Sequence, residues 1–423
     1  MKYRTPRWIA LEILQKLESE RSNSAILLNE ALARIEDSRD RHLITELVLG
    51  TLRWKSKLLF YVDHFSRRPR KQLDPKVLTI LQLGIYQLLF TDIPQHAAIY
   101  ETVALCRRAR LTSAASFVNG LLRAVQGKLA SLPEPPNPGD RWAHPEWLAD
   151  RWRQQFGEAE SVELMQTNNR PSIVYIRMNT LAESVETTRR ALASENIEIQ
   201  PTKWSDQLYS VVSGAPQLSV AFAEGHFYIQ DAGVEVLGDM FEAKAGERIL
   251  EVAAAPGGKT FQLAVRTNDE ARIVSLDTGF QRIRSWKRNI ERLKIHSAVP
   301  VIADARQLPV NQEFDLIVVD APCSSLGVIR RHPEIKWWRK EDDLVHLSTT
   351  QLQILRACAK YVRAGGRLVY SVCSFEPEET SRVTEQFVSS ERSFEIRQQR
   401  FLYPHRDQTD GFYAVSFHRK DTE

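Results

Sequence analysis

Twelve residues, Ile249 to Thr260 (Ile-Leu-Glu-Val-Ala-Ala-Ala-Pro-Gly-Gly-Lys-Thr), constrain this chain more than any other stretch. A short apolar strand, Ile249 to Val252, runs into small residues and Pro256-Gly257-Gly258. Lys259-Thr260 and a helix-like apolar segment follow. Glycines at a strand-to-helix turn let the backbone approach a ligand, and a helix N-terminus favours polar or anionic groups. A phosphate-binding P-loop needs Gly six positions before the Lys; that position is Ala253. The dinucleotide spacing G-x-G-x-x-G has no match either. Small residues followed by Pro-Gly-Gly suit a nucleoside lying along the loop.

Downstream, apolar strands alternate with helices: Arg272 to Asp277, Ala298 to Ala303, Phe314 to Asp320, and Gly366 to Ser371. That pattern predicts a mostly parallel, doubly wound (Rossmann-like) α/β domain. Three of these strands run into an acid, Asp277, Asp304 or Asp320, and in open α/β sheets the ligand lies beyond the carboxyl ends of the strands. Asp277, about twenty residues past the glycines, is placed to accept hydrogen bonds from ribose hydroxyls. Asp304 is placed to reach an adenine-type amino group. A single such acid reads equally as a helix N-cap; three after one Gly loop read as a site.

The 423 residues are too many for one ordinary domain. Hydrophobic content of 43% and charged content of 26% fit a soluble globular chain, so fibrous and disordered classes drop out. Charge is uneven: residues 1–130 carry 21 Lys and Arg against 12 Asp and Glu, and the remainder 36 against 41. A basic module beside a mildly acidic one points to a polyanion touching the N-terminal part. Those 130 residues show helical spacing throughout and no strand signal, with Pro75, Pro94 and several Gly as breaks. Arg53, Lys55, Lys57, Arg67, Arg68, Arg70 and Lys71 cluster near Trp54, Phe60 and Tyr61, which suits RNA contact by charge and stacking, although aromatics in a helical bundle more often form core. Leu132 to Gly139, with four Pro, reads as a linker within 131–143. A small α/β module is expected over 144–232, and the doubly wound domain over 233–423.

Cys106, Cys323, Cys358 and Cys373 include no C-x-x-C, which argues against a disulfide framework and a zinc site and predicts a reducing, cytoplasmic setting. The opening residues have no signal-peptide core, and the most apolar window, Val77 to Phe90, is too short to span a bilayer. Cys106 and Cys358 read as inert core. Asp320-Ala-Pro-Cys323 and Ser371-Val-Cys373 instead place two thiols just past strand ends, at the ligand edge. Reactive thiols need an electropositive neighbourhood, which Arg330-Arg331-His332 and Lys336 are expected to supply. A metal held by these Cys and His332 has poor spacing, so none is expected.

With these residues in view, the sequence resembles the RNA (cytosine-5) methyltransferases of the RsmB/Fmu/Sun type, which act on small-subunit ribosomal RNA. Glu46 to Arg53, Leu83 to Leu88 and Phe117 to Arg123 are similar to that family's NusB-like RNA-binding domain. His144 to Trp147 and Arg177 to Thr180 resemble its middle module. Ala255 to Thr260, Asp304 to Arg306, Asp320 to Cys323 and Arg330 to Trp337 carry the most specific likeness, and Asp410 to Phe412 resembles its closing strand. Departures are Glu251 and Ala253, where the family usually has Asp and Cys, and Val372 and Thr380, where it has Thr and Asn.

The resemblance implies S-adenosylmethionine as cofactor. Ala253, Ala254, Ala255, Pro256, Gly257, Gly258 and Lys259 would line its methionine and ribose. Asp277, braced by Arg282, would hold the ribose, Asp304 the adenine side, and Asp320 would stand between cofactor and base. It implies Cys373 as nucleophile and Cys323 as the group assisting release; spacing alone does not order the two. The expected partner is ribosomal RNA, with no membrane or metal, for an enzyme acting as a monomer. A tRNA cytosine-5 methyltransferase and a non-catalytic RNA-binding assembly factor are the competing readings; the NusB-like start disfavours the first, and intact Cys373, Cys323 and Asp320 the second.

Overall fold

The computed structural model describes residues 5–20 and 22–421; Met1 to Arg4, part of the opening read above for a leader, lie outside them. Two compact units emerge: residues 1–171 with 329–339, and residues 172–328 with 340–423.

The first unit is helical. Its core comes from α1 (Pro6–Glu20), α2 (Ser24–Leu32), α3 (Ser38–Arg53), α4 (Lys55–Phe65), α5 (Pro75–Phe90), α6 (Gln95–Arg108) and α7 (Ala115–Gln126). Starts follow capping chemistry: the Asn23, Asp37 and Asp74 side chains accept first-turn N–H groups, and Pro75 opens α5. Gly50 and Gly84, expected as breaks, lie inside α3 and α5. A Cβ on Gly50 would sit 2.0 Å from Tyr86 and one on Gly84 2.8 Å from Leu122, so these glycines permit close helix packing instead.

The first compact unit runs on past the Pro-rich stretch to Pro171. Helices Glu146–Phe156 and Glu158–Asn168, which the sequence groups with the small α/β module, belong to the helical unit and bury Leu148, Trp152, Leu164 and Met165. Residues 329–339 also belong to it. Lys336 Nζ donates to the Arg53 carbonyl (3.0 Å) and to Asn169 Oδ1 (3.1 Å), and Trp337 Nε1 donates to the Leu52 carbonyl (2.7 Å). They reach the last carbonyls of α3, where the helical ladder ends and side-chain donors can complete the bonding.

The second unit holds two sheets. The smaller contains β1 (Tyr175–Met178), β2 (Glu198–Pro201), β3 (Leu208–Ser213) and β4 (Phe227–Ile229) in the antiparallel order β2-β3-β1-β4. The larger contains β5 (Arg248–Val252), β6 (Arg272–Asp277), β7 (Ala298–Ile302), β8 (Phe314–Asp320), β9 (Val362–Val372), β10 (Phe394–Leu402) and β11 (Phe412–Arg419). Its order is β10-β11-β9-β8-β5-β6-β7, with β5 to β9 parallel and β10 and β11 antiparallel. The strand order reverses between β5 and β8, which fixes where a ligand crevice opens.

Candidate active site at the carboxyl edge of the sheet

The loop after β5 turns sharply. Ala253 has φ +59° and Gly257 φ +109°, both left-handed, and the Ala255–Pro256 bond is cis. The Ala254 amide donates to the Leu276 carbonyl (3.0 Å) and the Gly257 amide to the Ala254 carbonyl (2.8 Å); Gly258 then starts helix Gly258–Arg266. Asn289 Nδ2 donates to the Pro256 carbonyl (2.9 Å).

Asp277 ends β6 and is 2% exposed. Arg282 grips both its oxygens (Nε 2.8 Å, Nη2 2.9 Å), and the amides of Ala255 (3.1 Å) and Gly279 (3.2 Å) donate to it as well. Its visible task is to brace the loop. Asp304 stands out in solvent, held by Arg306 Nη2 at 2.6 Å, which keeps its carboxyl below the usual range.

Beneath the loop, Glu251 is buried. Thr260 and Ser275 hydroxyls donate to its Oε2, and Trp286 Nε1 donates to Thr260 Oγ1 (2.8 Å). Burial lifts the Glu251 carboxyl to about 7 against the hydrogen bonds that favour its charged form. A folded value above the unfolded one means that this group's contribution is full below about pH 4.5 and is lost as pH rises through 7. Glu251→Gln should therefore flatten the fall of melting temperature between pH 5 and 8, removing a pH-dependent term of about 3 kcal/mol at most. A pH slope identical to the parent's in calorimetric scans would contradict this.

Register explains the thiols. On parallel β8 and β9, Asp320 pairs with Ser371, so Cys323 and Cys373 overhang the same edge by nearly equal lengths. Their sulfurs lie 3.2 Å apart, and Ser325 Oγ is 3.4 Å from Cys373 Sγ. The hydrogen bond from Cys323, helped by Ser325 and by the positive charge of Lys259, lowers the Cys373 thiol. The same hydrogen bond, with burial and nearby Glu379 and Asp320, pushes Cys323 well up. The two shifts run in opposite directions, which makes Cys373 the more acidic thiol of the pair. Lys259 Nζ pairs with Asp320 Oδ2 at 2.7 Å, and Ser371 Oγ donates to Asp320 Oδ1 (3.3 Å).

Two sequence expectations change. Lys336 does not furnish positive charge to the thiols: it is fully buried in the helical unit, and that burial, then Arg53, holds its amine well below its usual range. Lys259 takes that part. Within the N-terminal cluster, Arg53 and Tyr61 are buried and Trp54 stacks on Phe90 at 4.5 Å, so these are core. Lys55 and Lys57 pair with Glu18 and Glu134, while Arg67, Arg68, Arg70 and Lys71 remain on the surface. The sequence reading missed Ser325 and Ser324; Glu379 stood in the run Glu376-Pro-Glu-Glu379, before Thr380, where the resembled motif ends in Glu-Asn, but without a role.

The sheet order, the antiparallel β11 beside β9 and the loop at the switch point define a Rossmann-like methyltransferase. The "Probable ribosomal RNA small subunit methyltransferase B" of Bacillus subtilis (strain 168) is 32% identical over 447 residues, which cover 99% of this chain and 100% of that one. The chain belongs to that family of ribosomal RNA small subunit methyltransferases. Residues 239–418 match the family described as 16S rRNA methyltransferase RsmB/F, residues 4–127 the NusB family, and residues 144–211 the RsmF/B-like ferredoxin-like domain. A "Ribosomal RNA small subunit methyltransferase B" of Proteus mirabilis (strain HI4320) is 33% identical over 97% of both chains. The crystal structure of PH0851 shares the fold, with TM-score 0.84 and 24% identity over 98% of this chain and 99% of that one. A methyltransferase homologue from Pyrococcus horikoshii covers 67% of this chain and 97% of its own at TM-score 0.60 and 26% identity. Among the described residues, no helix is long and apolar enough to cross a membrane.

Proposed function

We propose that this protein transfers a methyl group from S-adenosylmethionine to carbon 5 of a cytosine in small-subunit ribosomal RNA, through a covalent bond between Cys373 and the base. The observation that carries the reading is the 3.2 Å thiol pair beside an Asp320 carboxylate held by Lys259. The donor set fits the cofactor: Asp304 and Asp320 stand partly exposed at the carboxyl ends of parallel β7 and β8, on either side of β5 and β6, and from Ala253 to Gly258 no side chain exceeds Pro in size. Ala253 to Lys259 would line it, with Asp277 bracing the ribose side and Asp304 at the adenine side. When bound, S-adenosylmethionine supplies an electrophilic methyl group.

Carbon 5 of cytosine is a poor nucleophile until something adds at carbon 6. The Cys373 sulfur donates a lone pair to carbon 6. The carbon 5–carbon 6 pair shifts toward N3, which takes a proton from water, and Asp320 accepts a hydrogen bond from that N–H. Carbon 5, now enamine-like, can accept the methyl group. In release, the carbon 5 proton goes to a solvent base and its bonding pair restores the double bond. The sulfur–carbon pair returns to Cys373 as thiolate, N3 gives up its proton, and the Cys323 S–H donates to the leaving sulfur. The base must be unstacked to expose its face to Cys373, so a single-stranded or loop site is expected.

The Cys323→Ala protein should accumulate an RNA–protein adduct that survives a denaturing gel; turnover without any adduct would remove Cys323 from the release step. Deleting the gene should cost the host's 16S rRNA one 5-methylcytosine in mass spectra, and an unchanged spectrum would sink the substrate assignment. We assign RNA attraction to the 1–130 segment. Replacing Arg67, Arg68, Arg70 and Lys71 by Gln should reduce the slope of log affinity against log salt by roughly one for each phosphate no longer neutralised. An unaltered slope would place the RNA elsewhere. These surface changes are preferable to deleting 1–130, which would strip the cover from buried Lys336.

A further inference from the structure

Glu379 is wholly buried, and three donors from two different segments converge on it. The Ser324 amide donates to Oε1 (2.7 Å), Gln351 Nε2 donates to the same oxygen (3.0 Å), and the Ser324 hydroxyl donates to Oε2. Gln351, on helix Glu341–Ala359, also donates to the Pro322 carbonyl (3.0 Å). The residues on both sides of Cys323 are therefore tied to this one carboxylate and its amide partner. Ser324 Oγ lies 3.3 Å from Ser374 Oγ, the residue after Cys373, so the two thiol-bearing loops join one step beyond each sulfur. The Glu379 carbonyl in turn lies 2.6 Å from the Tyr370 hydroxyl, which anchors it to β9. A carboxylate accepting several buried bonds has a fixed orientation, and losing it leaves those donors unsatisfied.

These bonds act on the residues on either side of Cys323. The Cys323 sulfur can keep its 3.2 Å approach to Cys373 only while loop 322–325 keeps its path. We infer that Glu379 is a positioning residue: by clamping Ser324 and, through Gln351, Pro322, it holds Cys323 against Cys373 and so serves thiolate formation and release. The part about release rests on the function proposed above; the part about the thiol pair does not.

Two readouts separate them. The first is the pH dependence of iodoacetamide alkylation at Cys373, followed by peptide mass spectrometry on the full-length protein. In Glu379→Gln and in Ser324→Ala, Cys373 should lose its close approach to Cys323, and its alkylation profile should move to higher pH, slowing the reaction at pH 7 by roughly threefold or more. Ser324→Ala keeps the backbone N–H bond and serves if the Glu379 variant does not fold. A profile coincident with the parent's in a folded variant would overturn the inference. The second readout is the covalent adduct with 16S rRNA: both variants should accumulate it, as Cys323→Ala does, with the Michaelis constant for cofactor unchanged. Adduct in Cys323→Ala but none in either clamp variant also overturns the inference. If even Cys323→Ala gives no adduct, the release mechanism fails instead, and the alkylation profile alone decides the role of Glu379. A purely structural role would lower the melting temperature and slow every step alike, without enriching the adduct.

Discussion

The Cys373→Ala protein is expected to lose methyl transfer by roughly 10⁴-fold or more while still binding S-adenosylmethionine with parental affinity. The size of the effect follows from what the thiolate does: without addition at carbon 6, carbon 5 carries no nucleophilic pair, and no neighbouring group replaces it. Cys323 is not a substitute. Removing Cys373 takes away the hydrogen bond that raises the Cys323 thiol most, but burial and the nearby Glu379 and Asp320 still disfavour its ionisation. Retained cofactor affinity is expected because Cys373 sits beyond β9, whereas the loop braced by Asp277 and Arg282 follows β5. Equilibrium dialysis with cofactor and a filter assay of methyl incorporation into 16S rRNA measure the two quantities separately. Full activity in this variant would end the covalent reading.

The parts of this molecule legible in the sequence are those where a local pattern has one physical meaning. Apolar, β-branched runs such as Leu316 to Val319 can only be interior strands of a covered sheet, and the Pro-Gly-Gly turn after Val252 can only be a tight strand-to-helix crossing. Charge was read less well, because a cation in a basic run looks like surface whether or not a partner waits for it. Arg53 and Lys336 are both buried, the latter because the end of α3 presents carbonyls more than 280 residues away in sequence. No window of sequence contains that partner. The thiol pair is intermediate: each Cys was visible beside its strand, but the 3.2 Å distance depends on the register of β8 against β9, which pairs Asp320 with Ser371 across fifty-one residues. Lys259 was assigned by motif to the cofactor, and only the fold turns its amine to Asp320.

That last ion pair leads to the second large effect. Lys259→Met should lower the rate of methyl transfer at pH 7 on the order of 10²-fold, with much of the loss recovered near pH 9. The sign follows from charge. The ammonium of Lys259 is one of the groups that lower the Cys373 thiol, and Asp320 is one that raises it. Removing the cation leaves the Asp320 carboxylate unopposed, so the thiol rises and less thiolate exists at neutral pH. Raising the pH restores the thiolate without restoring the ion pair, and the acidic limb of the pH–rate profile should move toward higher pH. A Lys259 that served mainly to hold the cofactor would behave differently: the Michaelis constant for S-adenosylmethionine would rise, and alkaline pH would rescue nothing. Saturating cofactor at pH 7 and pH 9 therefore separates the two roles. Rescue by cofactor concentration rather than by pH would return Lys259 to the cofactor loop and leave the low Cys373 thiol to Cys323 and Ser325 alone.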